Sequence, residues 1–235
     1  RTQFLIENLR INTNILESCI PFKNIKIINL GSSCIYPLNA ENPISEDEFM
    51  NGKLEPTNSP YAMAKLTAIE LGNAMKEQYG HKVINLMPTN LYGPNDNFSE
   101  HDSHVIPGLM FRMEIAKNNN IDSFNIWGSG KPLREFLHVD DLSNAIKFII
   151  NNEIEDSILN VGSGDEVSIK SIAENIKQVI QYKGVLSFDT SKPDGNPRKL
   201  LNSSKMLNYG WKSEIQLFEG LESTYKWFQE NIKIN

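Results

Sequence analysis

The sequence has few cysteines, no long apolar run and no excess of positive charge. Cys19 and Cys34 are its two cysteines among 235 residues, which is too few for a disulfide scaffold, and no metal-ligand spacing surrounds them. No apolar run approaches the length that a membrane-spanning helix needs. A net charge of -6 argues against binding to nucleic acid or to a membrane surface. Together these features predict a cytoplasmic globular protein without a bound metal.

Hydrophobic periodicity predicts an α/β fold. A helical pattern covers Phe4–Ile20, a β-branched strand covers Ile25–Leu30, a second helix runs from Tyr61 to Tyr79, and a second strand covers Val83–Leu86. Further helices are predicted at 105–116, 142–150 (capped by Asp140 and Asp141), 168–182 and 217–232, with strands at 123–127, 135–139, 159–161 and 185–188. This order predicts a doubly wound parallel sheet, which binds ligands at the carboxyl ends of its strands.

Two predicted loops follow strand ends, at 31–37 and 88–94, and the Tyr61 helix begins near the same edge. Tyr61 and Lys65 are four residues apart, so they share one face of that helix. Ser59 is predicted to cap the helix, with Pro60 at its first position. A nearby ammonium is expected to lower the pKa of the phenol from about 10. Tyr61 could then exchange a proton with a sugar oxygen. The alternative is that Tyr61 and Lys65 only form a solvated face of the helix.

Three more polar side chains are candidates for the same site. Ser32 follows a strand-ending glycine, where it could bond a substrate oxygen or only its own backbone. Cys34 could serve as a base or as a small buried hydrophobe. His104 is a candidate partner acid for Cys34, because unperturbed histidine titrates at about 6.5, although a lone surface histidine is usually solvated.

The second half of the sequence carries cations that could meet phosphate oxygens: Arg112, Arg134, Lys192, Arg198 and Lys199. Trp127 could stack on a base or sugar, although core packing is the more common role for tryptophan. By themselves, these residues predict an α/β enzyme that acts on a phosphorylated ligand.

Four motifs resemble the extended short-chain dehydrogenase/reductase family: Gly31–Pro37, Tyr61–Lys65, Pro88–Pro94 and Arg134–Asp141. Three further stretches are similar to the GDP-sugar 3,5-epimerase-4-reductases within that family: Glu55–Asn58, Ser103–Pro107, and Ser191–Gly195 with the following Pro197–Leu201. The resemblance covers essentially the whole sequence from the first helix onward.

The resemblance implies a two-stage reaction on GDP-4-keto-6-deoxy-D-mannose. Cys34 and His104 would act as base and acid in the epimerisation of C3 and C5. Which of the two acts at C3 and which at C5 is left open. Ser32 and Tyr61 would stabilise the enolate oxygen. Tyr61 would then protonate the C4 oxygen during NADPH-dependent reduction to GDP-L-fucose, with Lys65 tuning Tyr61 and holding the nicotinamide ribose.

The resemblance also implies two sets of binding residues. Those for NADP(H) are Leu30, Gly31, Ser32, Ser33, Tyr61, Lys65, Pro88, Thr89, Asn90, Leu91 and His104. Those for the GDP-sugar are Arg112, Trp127, Arg134, Asp194 and Lys199. The NADP-binding Rossmann-like domain is expected at 1–94 and 131–163, and a smaller α+β domain for the GDP-sugar at 95–130 and 164–235. A homodimer is expected through the Phe4–Ile20 and Tyr61–Tyr79 helices.

The front of the sequence departs from the family pattern. It has no initiator methionine, and no Gly-x-x-Gly-x-x-Gly turn for the dinucleotide phosphates occurs in its 235 residues. The sequence is therefore interpreted as N-terminally truncated, without the first strands of the sheet. Two alternatives remain open: a related nucleotide-sugar epimerase or reductase, and a non-catalytic GDP-sugar binder.

Overall fold

The computed structural model describes residues 2–100 and 102–234. Its helices are α1 (Thr2–Cys19), α2 (Ser59–Tyr79), α3 (Val105–Asn118), α4 (Val139–Asn151), α5 (Ile169–Ile180), α6 (Ser204–Tyr209) and α7 (Leu217–Asn231). Its strands are β1 (Lys26–Leu30), β2 (Lys82–Pro88), β3 (Asn90–Tyr92), β4 (Ser123–Trp127), β5 (Leu133–His138), β6 (Ile158–Val161), β7 (Glu166–Ser168), β8 (Val185–Asp189) and β9 (Arg198–Lys199). The predicted α/β class is confirmed.

The chain divides into two compact units. The first unit comprises Arg1–Thr89, Leu142–Gly164 and Leu200–Lys212. The second unit comprises Asn90–Asp141, Asp165–Lys199 and Ser213–Asn235.

A parallel sheet of order β1–β2–β6 forms the centre of the first unit. Strand β2 lies between two neighbours and is buried at every residue after Lys82, which explains its nearly continuous apolar sequence. Because all three strands run in the same direction, their carboxyl ends at Leu30, Pro88 and Val161 lie along one edge. The loops that follow β1 and β2 therefore begin at that edge, as predicted.

Helices α1 and α2 pack together in the first unit. One apolar cluster joins them to the sheet, and its buried members are Leu16, Ile27, Ala68, Met75 and Val83. Burial of each large side chain of this kind contributes about 1.5–3 kcal/mol. Helix α2 ends at Gly80, which has a φ of 73° and donates its N–H to the carbonyl of Lys76 at 3.0 Å. That left-handed backbone favours glycine and explains where the helix stops.

The second unit is built from two further sheets and three helices. Strand β5 pairs with β3 and β9 in parallel and with β7 in antiparallel orientation, while β4 and β8 form a separate parallel pair. Helices α3, α5 and α7 cover an apolar core that includes Met110, Ile126, Ile176 and Phe228. The second unit therefore combines parallel and antiparallel pairing.

The boundaries of the units differ from the predicted domain boundaries. Residues 90–94 and 131–141 belong to the second unit because β3 and β5 pair with each other there. Residues 200–212 belong to the first unit because Ile44 donates its N–H to Leu200 and accepts one from Asn202, both at 2.8 Å. The assignment of a ligand to each unit stays a prediction.

Two predicted helix caps are wrong. Ser59 is the first residue of α2, and Asn58 is the capping residue without a side-chain cap bond. Asp140 and Asp141 lie inside the first turn of α4. The carboxylate of Asp141 instead accepts the backbone N–H groups of Glu214 and Ile215, at 3.0 and 3.1 Å.

Several short elements were absent from the sequence prediction. The predicted loop at 88–94 contains β3, and the predicted cations Arg198 and Lys199 form β9. Strand β7 and helix α6 were not predicted at all. Each is between two and six residues long, too short for a hydrophobic period to be recognised.

Within the described ranges, no helix is long and apolar enough to cross a membrane. The same residues include no group of three or more histidine, cysteine, aspartate or glutamate side chains that could hold a metal ion.

Candidate active site

The loop after β1 turns tightly at the carboxyl edge of the sheet. Gly31 donates its N–H to the carbonyl of Leu86 at 2.8 Å. A Cβ at Gly31 would lie 2.5 Å from the Sδ and Cε atoms of Met87, so a larger residue would force the end of the Met87 side chain to move. Ser32 then caps a short 3-10 turn at Ser33–Ile35 and accepts the N–H of Cys34 at 3.2 Å. The chain thereby holds Ser32 and Cys34 next to the end of β1.

Helix α2 carries Tyr61 and Lys65 to the same strand end. The ammonium of Lys65 donates to the carbonyl of Leu30 at 2.7 Å and lies 5.6 Å from the centre of the Tyr61 ring. On the other side, the ring of Phe4 in α1 packs against the Tyr61 ring with 5.6 Å between centroids. The helix itself is fixed by the buried residues Ala62 and Ala64. Ser32, Cys34, Tyr61 and Lys65 are thus brought together, as predicted.

The electrostatics of this cluster correct one prediction. The pKa of Tyr61 is raised from its usual value, first by burial of the phenol and then by the nearby Cys34 sulfur, while a hydrogen bond with Ser32 lowers it. The pKa of Lys65 is lowered by burial. The predicted lowering of the Tyr61 pKa by Lys65 is therefore wrong, because burial of the phenol is the largest influence on that pKa and the ammonium donates to the Leu30 carbonyl. The raised pKa keeps the phenol protonated at neutral pH.

Other residues predicted to bind the cofactor lie along the same sheet edge. Ser33 and Thr89 are buried, and Pro88 is the last residue of β2. The N–H of Thr89 donates to the carbonyl of Val161 at 3.1 Å, which continues the pairing of β2 with β6.

Three of the residues predicted to bind the cofactor belong to the second unit: Asn90, Leu91 and His104. The amide of Asn90 donates to the carbonyl of Glu135 at 2.8 Å, and Leu91 is half-buried in β3. His104 is exposed and occupies the capping position of α3 without a side-chain cap bond.

The loop before His104 is organised by Ser103. The hydroxyl of Ser103 accepts the N–H of Ser99 at 2.6 Å and lies 2.6 Å from the Asn97 carbonyl and 2.8 Å from the Ser99 carbonyl. Phe98 in the same loop is buried against Trp227 and Phe228. These contacts fix the backbone immediately before the histidine.

Arg112 and Trp127 meet in the second unit. The guanidinium of Arg112 lies 5.6 Å from the centre of the Trp127 ring and 5.4 Å from that of Phe124. Burial lowers the pKa of Arg112, and the negative charge of Glu100 partly opposes that shift. Trp127 is 66% exposed, so core packing is the wrong role for it. Its free ring surface is open to a planar or sugar ligand beside a cation.

The turn after Trp127 is held by Asp194. The carboxylate of Asp194 accepts the backbone N–H of Ser129 at 2.6 Å and its hydroxyl at 2.7 Å. These bonds lower the pKa of Asp194. Gly128 has a φ of 84°, and a Cβ there would lie 2.5 Å from the Asp194 carboxylate. Asp194 therefore fixes the turn that follows Trp127.

Arg134 and Lys199 are paired in register on β5 and β9. Arg134 donates to the carbonyl of Leu133 at 2.8 Å, and burial lowers its pKa. Arg198 faces differently and forms a two-pronged ion pair with Glu166, with both bonds at 2.7 Å. The guanidinium of Arg134 thus bonds a backbone carbonyl, whereas the guanidinium of Arg198 is paired with a carboxylate.

A serine and a Tyr-x-x-x-Lys pair at the carboxyl edge of a parallel sheet define a site of the short-chain dehydrogenase/reductase class. The chain belongs to the NAD dependent epimerase/dehydratase family, whose sequence model matches residues 1–162. This confirms the family resemblance and the Rossmann-like class.

Within this family, the chain is similar to several proteins named GDP-L-fucose synthase. A probable GDP-L-fucose synthase 1 of Oryza sativa subsp. japonica is 48% identical over 230 residues, covering 97% of this chain and 70% of the relative. The GDP-L-fucose synthase of Escherichia coli (strain K12) is 45% identical over 237 residues, covering 97% of this chain and 74% of the relative. A crystal structure of a GDP-L-fucose synthetase from Naegleria fowleri bound to NADP superposes with a TM-score of 0.91 at 33% identity, covering 98% of this chain and 74% of that one.

Proposed function

We propose that the protein converts GDP-4-keto-6-deoxy-D-mannose to GDP-L-fucose by epimerisation at C3 and C5 and reduction at C4. The observation that carries this proposal is the cluster of Ser32, Cys34, Tyr61 and Lys65 at the end of β1. A thiol beside a Ser–Tyr–Lys set supplies a base that reduction alone does not need. The relatives named GDP-L-fucose synthase support the same substrate.

Tyr61 is the proton donor of the reduction. Its raised pKa means that the phenol carries its proton at neutral pH, which is the form that protonates the C4 oxygen. Ser32, which hydrogen-bonds Tyr61, offers a second hydroxyl to that oxygen.

NADP(H) is the cofactor, and the chain's donors fit its nicotinamide end. The Lys65 ammonium and the Leu30 carbonyl provide a donor and an acceptor for a ribose beside Tyr61. When bound, NADPH supplies the hydride that reduces C4. The NADP-bound Naegleria fowleri structure supports this assignment.

Cys34 and His104 carry the epimerisation. C3 and C5 both flank the C4 ketone, so the proton on each can leave when the enolate oxygen is stabilised by hydroxyl donors. Cys34 lies close enough to Tyr61 for its charge to affect the phenol. His104 is exposed on a fixed backbone and is able to exchange protons.

The second unit holds the GDP part of the substrate. Trp127 offers an exposed ring beside Arg112, which suits a base or sugar next to a pyrophosphate. Arg134 and Lys199 lie side by side on β5 and β9 and add positive charge. Asp194 contributes by fixing the turn after Trp127.

The protein forms a homodimer through α1 and α2. Several large apolar side chains of these helices are exposed, namely Phe4, Ile6, Ile11, Ile15 and Met63. A patch of this kind indicates an interface, and a two-fold axis would bury it on both copies. A cytoplasmic location stays a prediction from composition.

The experiment that tests the function is conversion in heavy water with NADPH. We expect deuterium at both C3 and C5 of the product and hydride from the cofactor at C4. A simple 4-epimerase or reductase would leave C3 and C5 unlabelled. If the GDP-sugar raises the melting temperature but no turnover occurs, the protein is a non-catalytic binder.

A further inference from the structure

The loop that carries Cys34 is anchored at two points on the sheet. Its first anchor is Gly31, bonded to Leu86 of β2 at 2.8 Å. Its second anchor is Tyr36, two residues after Cys34, whose hydroxyl donates to the side-chain oxygen of Asn160 in β6 at 2.6 Å. Tyr36 and Asn160 are 3% and 0% exposed. The thiol therefore lies on a short span between two fixed ends.

The amide of Asn160 has one possible orientation. Its nitrogen donates to the carbonyls of Ile44 and Asn202, at 2.9 and 3.1 Å. Because only an NH2 group can donate to two carbonyls, the amide oxygen must face Tyr36. The backbone N–H of Asn160 in turn donates to the buried carboxylate of Glu46 at 2.8 Å. These four bonds hold Asn160 in one orientation, so they specify a single position for the Tyr36 hydroxyl.

The hydroxyl of Tyr36 is not what holds Tyr61. Tyr61 and Lys65 are carried by α2, and the Tyr36 ring packs with buried apolar residues of that helix, a contact that Tyr36→Phe keeps. Ser32 is closer to the first anchor and caps the turn with its own hydroxyl. Loss of the Tyr36–Asn160 bond should therefore displace Cys34 more than Tyr61.

We propose that Tyr36 and Asn160 are positioning residues that set the Cys34 thiol for epimerisation, separately from the Tyr61 and Lys65 machinery for reduction. The proposal rests on the proposed function, in which Cys34 is the base. The role belongs to a buried hydrogen bond that takes no direct part in either the epimerisation or the reduction. The removal of one hydroxyl, in Tyr36→Phe, should uncouple the two stages.

The test compares Tyr36→Phe with Tyr182→Phe. Tyr182 is 4% exposed, and its hydroxyl donates to the Ile121 carbonyl at 2.7 Å in the second unit. Both substitutions remove one hydroxyl from a buried ring, so they should lower stability similarly. We expect Tyr36→Phe to slow deuterium uptake at C3 and C5 about 10-fold or more, since small displacements of a base reduce rates by such factors. The share of C4-reduced product that is not epimerised should rise, and Tyr182→Phe should keep the parent product ratio.

A second readout does not depend on turnover. In a Cys19→Ser background Cys34 is the single thiol, and its alkylation by iodoacetamide reports how the loop holds it. Tyr36→Phe should alter that alkylation rate several-fold at unchanged folded fraction, whereas Tyr182→Phe should leave it unchanged.

The outcomes separate the two proposals. Equal alkylation rates and an unchanged product ratio in Tyr36→Phe would overturn the positioning role. Absence of deuterium uptake in the parent protein would overturn the proposed function, while the alkylation comparison would still decide whether Tyr36 positions Cys34. A parallel fall of epimerisation and reduction in both tyrosine variants would show a structural effect alone and would also overturn the positioning role.

Discussion

Replacement of Tyr61 by phenylalanine isolates the proton-donor role, because the ring and its packing remain. The ring contact with Phe4 at 5.6 Å does not involve the hydroxyl. What is lost is the hydrogen bond with Ser32, which contributes about 1 kcal/mol, and the acid itself. General acid catalysis contributes roughly 10²- to 10⁴-fold in rate, equivalent to about 3–5 kcal/mol in the activation barrier. The effect on rate should therefore exceed the effect on stability severalfold.

The assay is hydride transfer from C4-deuterated NADPH under single-turnover conditions, with unfolding measured in parallel. Tyr79→Phe is the matched control, since it makes the same change on the exposed end of the same helix. We expect reduction by Tyr61→Phe to fall at least 100-fold and deuterium uptake at C3 and C5 to fall less, because Ser32 still stabilises the enolate. A loss of under 10-fold in reduction would refute the assignment of Tyr61 as the acid.

The remaining predictions concern pH, binding, assembly and packing. Because the pKa of Tyr61 is raised by burial of the phenol, Tyr61 stays protonated throughout the neutral range; a pH profile of reduction in which Tyr61 ionises below the ordinary pKa of tyrosine, about 10, would contradict this. Trp127→Ala should raise the KM for the GDP-sugar about 10-fold with little change in kcat, since stacking contributes roughly 1–3 kcal/mol; steady-state kinetics decide. Ile15→Glu should shift the protein from dimer to monomer in sedimentation, because Ile15 is 58% exposed on α1, and an unchanged mass would exclude α1 from the interface. Gly72→Ala would place a Cβ 2.8 Å from the Val83 side chain and should lower the free energy of unfolding by about 1–3 kcal/mol. A denaturation midpoint equal to that of the parent protein would contradict this and would show that α2 can move away from β2 at no cost.

The main sheet of the first unit could be predicted because its sequence signals are local. The run at 25–30 is β-branched and ends at Gly31, and Gly80 ends α2 in a left-handed conformation. The Tyr61–Lys65 spacing indicates a shared face on any helix. Such signals need no knowledge of the rest of the chain.

Other features could not be predicted because they depend on distant partners. Strand β3 exists through its pairing with β5, more than 40 residues later. The Lys65 ammonium is held by the carbonyl of Leu30, 35 residues earlier, and burial of the phenol together with the nearby Cys34 raises the pKa of Tyr61 instead of lowering it. The exposure of Trp127 likewise follows from the alternation of β4, whose burial pattern leaves that end outward.

The buried network around Asn160 shows the same limit. Asn160 follows a short apolar run, and its sequence context does not distinguish a strand residue from a ligand contact. Its bonds to Tyr36, Ile44 and Asn202 join segments that are 42 to 124 residues away. A role of this kind becomes visible only when the fold is known.

The proposed activity is tested most directly by identification of the product formed from GDP-4-keto-6-deoxy-D-mannose and NADPH. We expect GDP-L-fucose, with one NADPH consumed for each molecule formed, and loss of this product in Cys34→Ser with retention of a C4-reduced but unepimerised sugar. Formation of the unepimerised sugar by the parent protein, or unchanged GDP-L-fucose formation by Cys34→Ser, would contradict it.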